Sequence, residues 1–107
     1  MTMTNKNFSG TAGTTMTAVY TCPASTTAVI NLLQATNIIS GQVTVNVAIF
    51  DTSATTETKF VANSPMNVGS SISLLGGGLV LEAGDELRIQ SSANSSVGFV
   101  GSVTEIV

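Results

Sequence analysis

Glu82, Asp85 and Glu86 form the one acidic cluster of the sequence, and carboxylates this close could hold a hard cation or act as an acid and base pair. Calcium needs more oxygen ligands at set spacing, and neither a D-x-D-x-D-G run nor a second acidic segment nearby supplies them. The cluster reads as a solvated hairpin tip, with Arg88 pairing to Glu82 or Glu86 for well under ~1 kcal/mol if exposed. Cys22 is the single cysteine, and with no histidine in the chain it has no base to make it a nucleophile. It reads as buried filler or an inert surface thiol. A serine nucleophile would have only Lys6 or Lys59 to draw on, and no G-x-S-x-G elbow is present. Gly76, Gly77 and Gly78 fit neither phosphate-loop pattern, so they read as a tight reversal or bulge. No catalytic, metal-binding or cofactor-binding residue is expected, and the chain reads as no enzyme.

The surface that remains is unusual. Of 107 residues only 8% are charged, against about 25% in an ordinary soluble domain. Three bases against six acids leave a net charge of −3, which argues against a phosphate backbone as a direct partner. Polarity comes instead from Thr, Ser and Asn, which together make up 37 residues, a β-type composition. The mean hydropathy of +0.43 is high, yet no run approaches the ~18 apolar residues of a spanning helix, so no membrane partner is expected. The opening MTMTNKNFSGTAGTT lacks an apolar core and does not read as a signal peptide, so the chain is expected to stay where it is made. At this length one domain is expected.

Residues 1–15 show no periodicity and read as an N-terminal arm that orders on docking, with Met3 and Phe8 as its interaction anchors. Its removal up to Phe8 is expected to leave the domain folded and to weaken attachment. Residues 16–107 read as a single domain of about eight strands: 16–21, 26–36, 42–50, 58–62, 70–75, 79–81, 86–91 and 97–106. In the clearest, Val43, Val45, Val47 and Ile49 should face the core while Gln42, Thr44 and Asn46 face water or a partner. Residues 31–39 could be argued as a short helix, but they lack a clean cap and the flanking Thr and Val favour a strand. The Phe residues are placed to be core. The fold expected is all-β, an antiparallel β-sandwich. With so few charges its edge strands lack gatekeepers, so they must be closed within the fold or covered by sister subunits. Self-association into a homo-oligomer follows.

The segments YTCPASTTAVINLLQATNIISGQVTVNVAIFD, LLGGGLVLEAGDELRIQSS and VGSVTEIV, spanning most of residues 20–106, resemble small virion structural proteins of tailed bacteriophages. The match lies in hydrophobic pattern and turn residues. The resemblance implies a jelly-roll-like homotrimer, found in the virion and, during assembly, in the host cytoplasm. It implies a capsid cement or decoration protein, with the major capsid protein or other virion proteins as partners. A tail, neck or fibre accessory protein is the alternative. A glycan-binding module is a second alternative, with Tyr20 as the ring on which a sugar would stack.

Overall fold

The structure, a computed structural model, describes residues 2–75 and 78–107, so the Gly76–Gly77 part of the expected reversal lies outside the described residues. Among the described residues nine strands follow in order: β1 (Met3–Ala12), β2 (Thr17–Thr21), β3 (Thr27–Asn37), β4 (Val43–Asp51), β5 (Thr56–Met66), β6 (Ser71–Ser73), β7 (Leu79–Leu81), β8 (Glu86–Ser91) and β9 (Val97–Ile106). One sheet has the order β1-β9-β3-β6, with β7 also on β3, and the other has the order β2-β8-β4-β5. Every pairing is antiparallel. The chain passes from one sheet to the other at nearly every connection, and this wrap makes the sandwich a jelly roll. Among the described residues there is no helix long and apolar enough to cross a membrane.

Period-two patterning places the core between the sheets. In β8, Leu87, Ile89 and Ser91 are buried while Glu86, Arg88 and Gln90 are half-exposed. In β9, Val97, Phe99 and Val103 point inward beside Ile30 and Leu33 of neighbouring β3, and all belong to one core with Val45 and Val47 of β4 in the other sheet. Register shifts interrupt the ladders of β2, β3 and β5, and those of β3 and β5 bear on the core. At Asn31 and Leu32 the register of β3 against β9 slips, so Ile30 and Leu33 both face the core although three positions apart. This bulge gave residues 31–37 their helix-like spacing; they are strand. Against β4 the extra residues lie in β5, between Ser64 and Lys59, while β4 stays in unbroken register with β8; Asn46, expected to be wet or at an interface, keeps its outward position but is only 6% exposed. Its side-chain oxygen accepts the Asn63 N–H at 2.9 Å, at a residue with φ of 48°.

The stretch expected as an arm carries β1, which pairs with β9 from Met3↔Ile106 to Ala12↔Val97. Its inward positions alternate Thr4, Lys6, Phe8, Gly10 and Ala12, too mixed in polarity to show a pattern. The expected hairpin at residues 81–86 is also different: β7 belongs to the first sheet and β8 to the second, so Glu82–Asp85 turns a corner between sheets. Asp85 is buried there. Its carboxylate accepts the Glu82 N–H at 3.1 Å and the Thr52 N–H at 3.2 Å, and the Thr52 hydroxyl donates to the Gly84 carbonyl. The cluster that could have held a cation is a brace between two loops.

Candidate interaction surface

The nine charged residues are distributed very unevenly. Glu57, Lys59, Glu86 and Arg88 lie on β5 and β8 of the second sheet, where Arg88 meets Glu86 at 2.8 Å and Glu57 at 3.0 Å and covers the Phe50 ring at 4.0 Å from its centroid. Asp51, Glu82 and Asp85 lie in or beside the loops at one end. Lys6 and Glu105 belong to the inward positions of β1 and β9. None is left for the outer face of the first sheet.

Strand register builds that face in five rows. Met3, Ile106 and Thr27 align, then Asn5, Thr104 and Val29, then Asn7, Ser102 and Leu32. Ser9, Val100, Gln34 and Ser73 form the fourth row, and Thr11, Gly98, Thr36 and Ser71 the fifth. Neutral hydrogen bonds tie the strands: Asn31 donates to the Thr104 hydroxyl at 2.9 Å, Thr104 donates to Asn5 at 2.7 Å, and Gln34 donates to Ser71 at 2.6 Å. Val100 is 45% exposed amid these amides and hydroxyls. Because Gly98 carries no side chain, the face sinks there into an open groove of about 520 Å³ lined by Ser9, Thr11, Gln34, Thr36, Gly98 and Val100. The Ile38 side chain stands beside it.

Met3 and Phe8 go to different places. Met3, on the outer face, is 62% exposed. Phe8 turns inward, stacks on Tyr20 with centroids 5.8 Å apart, and packs against the core. Beside it the Tyr20 hydroxyl donates to Glu105 at 2.6 Å, and Lys6 pairs with the other carboxylate oxygen at 2.9 Å. The bond from Tyr20, then that from Lys6, holds the Glu105 carboxyl below the usual carboxylate range, while burial, then the Glu105 bond, raises the Tyr20 hydroxyl far above its own. This trio fastens β1 and β9 of one sheet to β2 of the other. The Tyr20 ring is thereby half-buried and held away from the open face.

Cys22 is buried, its thiol donating to the Thr26 carbonyl at 3.3 Å, and burial pushes its pKa up, which suppresses the reactive thiolate. Among the described residues no three His, Cys, Asp or Glu side chains gather as they would around a metal. Of the Phe residues expected in the core, Phe99 is buried, Phe8 and Phe50 are half-buried and Phe60 is exposed. The outer face of the first sheet was not singled out from the sequence. Its signal was the absence of charge from every second position of three strands, legible only once β1 is known to be a strand.

The chain is similar in fold to solved structures from a pilus and from a subviral particle. The chain superimposes on a protein of the disulfide-linked pili that are Bacillus endospore appendages, with a TM-score of 0.59, 16% identity, and coverage of 99% of this chain and 87% of that one. It also superimposes on the infectious bursal disease virus VP2 subviral particle protein, with a TM-score of 0.54, 10% identity, and coverage of 97% of this chain but 32% of the other. At these identities the likeness is one of fold. No family model matches the sequence, and no characterised protein matches it at a significant level.

Proposed function

We propose that the protein is a non-enzymatic structural subunit that works by being buried against other subunits, and that it serves as a cement or decoration protein on an assembled virion capsid. The observation that carries this reading is the outer face of the first sheet, five rows of side chains without one charge. Burying ions against a partner costs several kcal/mol each unless they are well paired, whereas neutral hydroxyls, amides and Val methyls are desolvated at far lower cost. The fold shared with a pilus protein and a subviral particle protein supports the reading, and the bacteriophage resemblance supplies the capsid. Self-association belongs to the proposal; its threefold order rests on the resemblance alone. The pilus neighbour belongs to a disulfide-linked family, but here the single thiol is buried, so cohesion would be non-covalent.

On this reading a subunit that binds only the assembled shell stabilises the shell by mass action, by about 2.7 kcal/mol per site at a free concentration one hundred times Kd. The test is co-sedimentation of the purified chain with particles that lack it, with copies per particle counted by densitometry. Hundreds per particle are expected for a decoration. A few to dozens would move the protein to the tail, neck or fibre, and no binding to any particle component would overturn the structural reading.

A further inference from the structure

Backbone pairing in β1 leaves one of its sides open. Thr2 and Val107 exchange both backbone hydrogen bonds, at 3.1 and 2.9 Å, so by antiparallel alternation Thr4, Lys6, Phe8, Gly10 and Ala12 bond to β9. Met3, Asn5, Asn7, Ser9 and Thr11 then aim their N–H and C=O groups away from the sheet. Such an edge is a template for another strand unless it is guarded.

The other edges are guarded. β5 is interrupted by register shifts and by Asn63 at φ 48°, contains Pro65, and carries Glu57 and Lys59. β2 has five residues and a register shift of its own, and β6 and β7 have three residues each. Along β1 the register runs unbroken for ten residues, with no proline, and its one charge, Lys6, is neutralised within the fold by Glu105.

We propose that β1 is a self-pairing edge, and that two copies of this chain join antiparallel through it about a twofold axis at Asn7. The inference rests on the assembly reading above and names the element and the partner. A second copy fits because the open residues are symmetric about position 7: Met3 falls opposite Thr11 of the other copy, Asn5 opposite Ser9, and Asn7 opposite itself. Each open N–H then meets an open C=O, giving about ten backbone bonds. Lys6 falls opposite Phe8 rather than opposite another lysine. The register also gives exposed Met3 a seat. Its outward side chain comes beside Thr11 of the other copy, at the rim of the groove and two strand spacings, about 9.6 Å, from the Gly98 floor, a distance an extended methionine side chain can largely span. The result is one continuous sheet across both copies, with the charge-free face running over it. A twofold contact links copies in pairs, so a larger particle would need a further contact elsewhere.

The test uses the full chain in sedimentation equilibrium with three kinds of variant. Asn7→Pro deletes an outward N–H and leaves the β9 ladder intact, and Met3→Asp sends a charge toward the groove. Both are expected to raise the dimer Kd at least about tenfold while the circular dichroism spectrum and Tm stay close to those of the parent. Asn7→Cys should form a disulfide with its own copy under oxidation, because hydrogen-bonded partners lie about 5.5 Å apart between Cα atoms. Asn5→Cys and Ser9→Cys should each fail to link alone and should link when mixed. Association untouched by Asn7→Pro and Met3→Asp, or Asn5→Cys linking to itself as readily as Asn7→Cys, would overturn the β1 pairing and leave the assembly reading standing. A parent chain that stays monomeric yet coats particles would do the same; one that stays monomeric and binds nothing would remove both.

Discussion

The ring of Phe8 occupies the space a side chain at Gly101 would need, and Gly10 stands in the same relation to Phe99, with the two pairs directly opposite across β1 and β9. Aromatic rings laid over cross-strand glycines recover the contact those glycines lack and pin the register of an edge strand. Gly101→Ala should therefore cost about 1–3 kcal/mol by expelling the ring. Phe8→Ala, at a half-buried site, should cost about 2 kcal/mol. In the double variant the Gly101→Ala penalty should nearly vanish, a coupling that urea denaturation of the four proteins would measure. The neighbouring trio predicts a pH profile. Glu105 has a lower pKa folded than its ordinary 4.5, so its contribution is fully present above that value and is lost as pH falls through the folded value. Tyr20 is raised above its ordinary 10.0, so its contribution holds below that value and is lost on further alkalinisation. Cys22, raised above its ordinary 9.0 by burial, starts that alkaline loss earlier, so Tm should be flat between 4.5 and 9.0, and Glu105→Gln should flatten the acid limb of the profile relative to the parent.

Strands of this sandwich owe their exact courses to bulges. In β5 the extra residues between Ser64 and Lys59 bring the Asn63 N–H onto the side-chain oxygen of Asn46, a buried bracket on regular β4 that holds β5 through its irregular stretch. Asn46→Val should leave that N–H without its acceptor and cost about 1–3 kcal/mol in thermal or urea unfolding, more than Thr44→Val one step away on a half-exposed site. Strand β1 is likewise more than an appendage, since it covers the edge of β9 and contributes Phe8 and Ala12 to the interior. Removing residues 1–8 would bare β9 and uncover Tyr20. The truncated chain should lose Tm by several degrees and aggregate at concentrations the parent tolerates, as light scattering would report, whereas a segment read as an arm would come away with the domain still folded and only its attachment weakened.

At the scale of the whole molecule, charge is segregated by sheet. The second sheet holds a four-residue cluster of Glu and basic side chains, the loop end holds three carboxylates, and the outer face of the first sheet holds none. An association built on that face should depend little on ionic strength, because it has no Coulomb term to screen. Between about 50 and 500 mM NaCl the association constant should change by less than about threefold in sedimentation, with a negative heat capacity of association from the Val, Leu and Ile groups that are covered. A steep salt dependence would point instead to the charged second sheet as the contact.

Composition and period-two patterning alone determined that the chain is an all-β sandwich: the eight strands read between residues 16 and 107 recur within a few positions, because alternation of Val, Ile and Leu is a local signal. The charge deficit, too, was visible in the residues, and it pointed to a surface made for burial. Only the tertiary structure decided where the uncharged side chains gather. That β1 is a strand depends on Phe8 meeting Gly101 some ninety positions away, that Asp85 is a brace depends on Thr52, and that 81–86 is a corner depends on which sheet each flank joins. Each is a contact between segments distant in sequence, so no window of neighbouring residues contains the interaction that selects it.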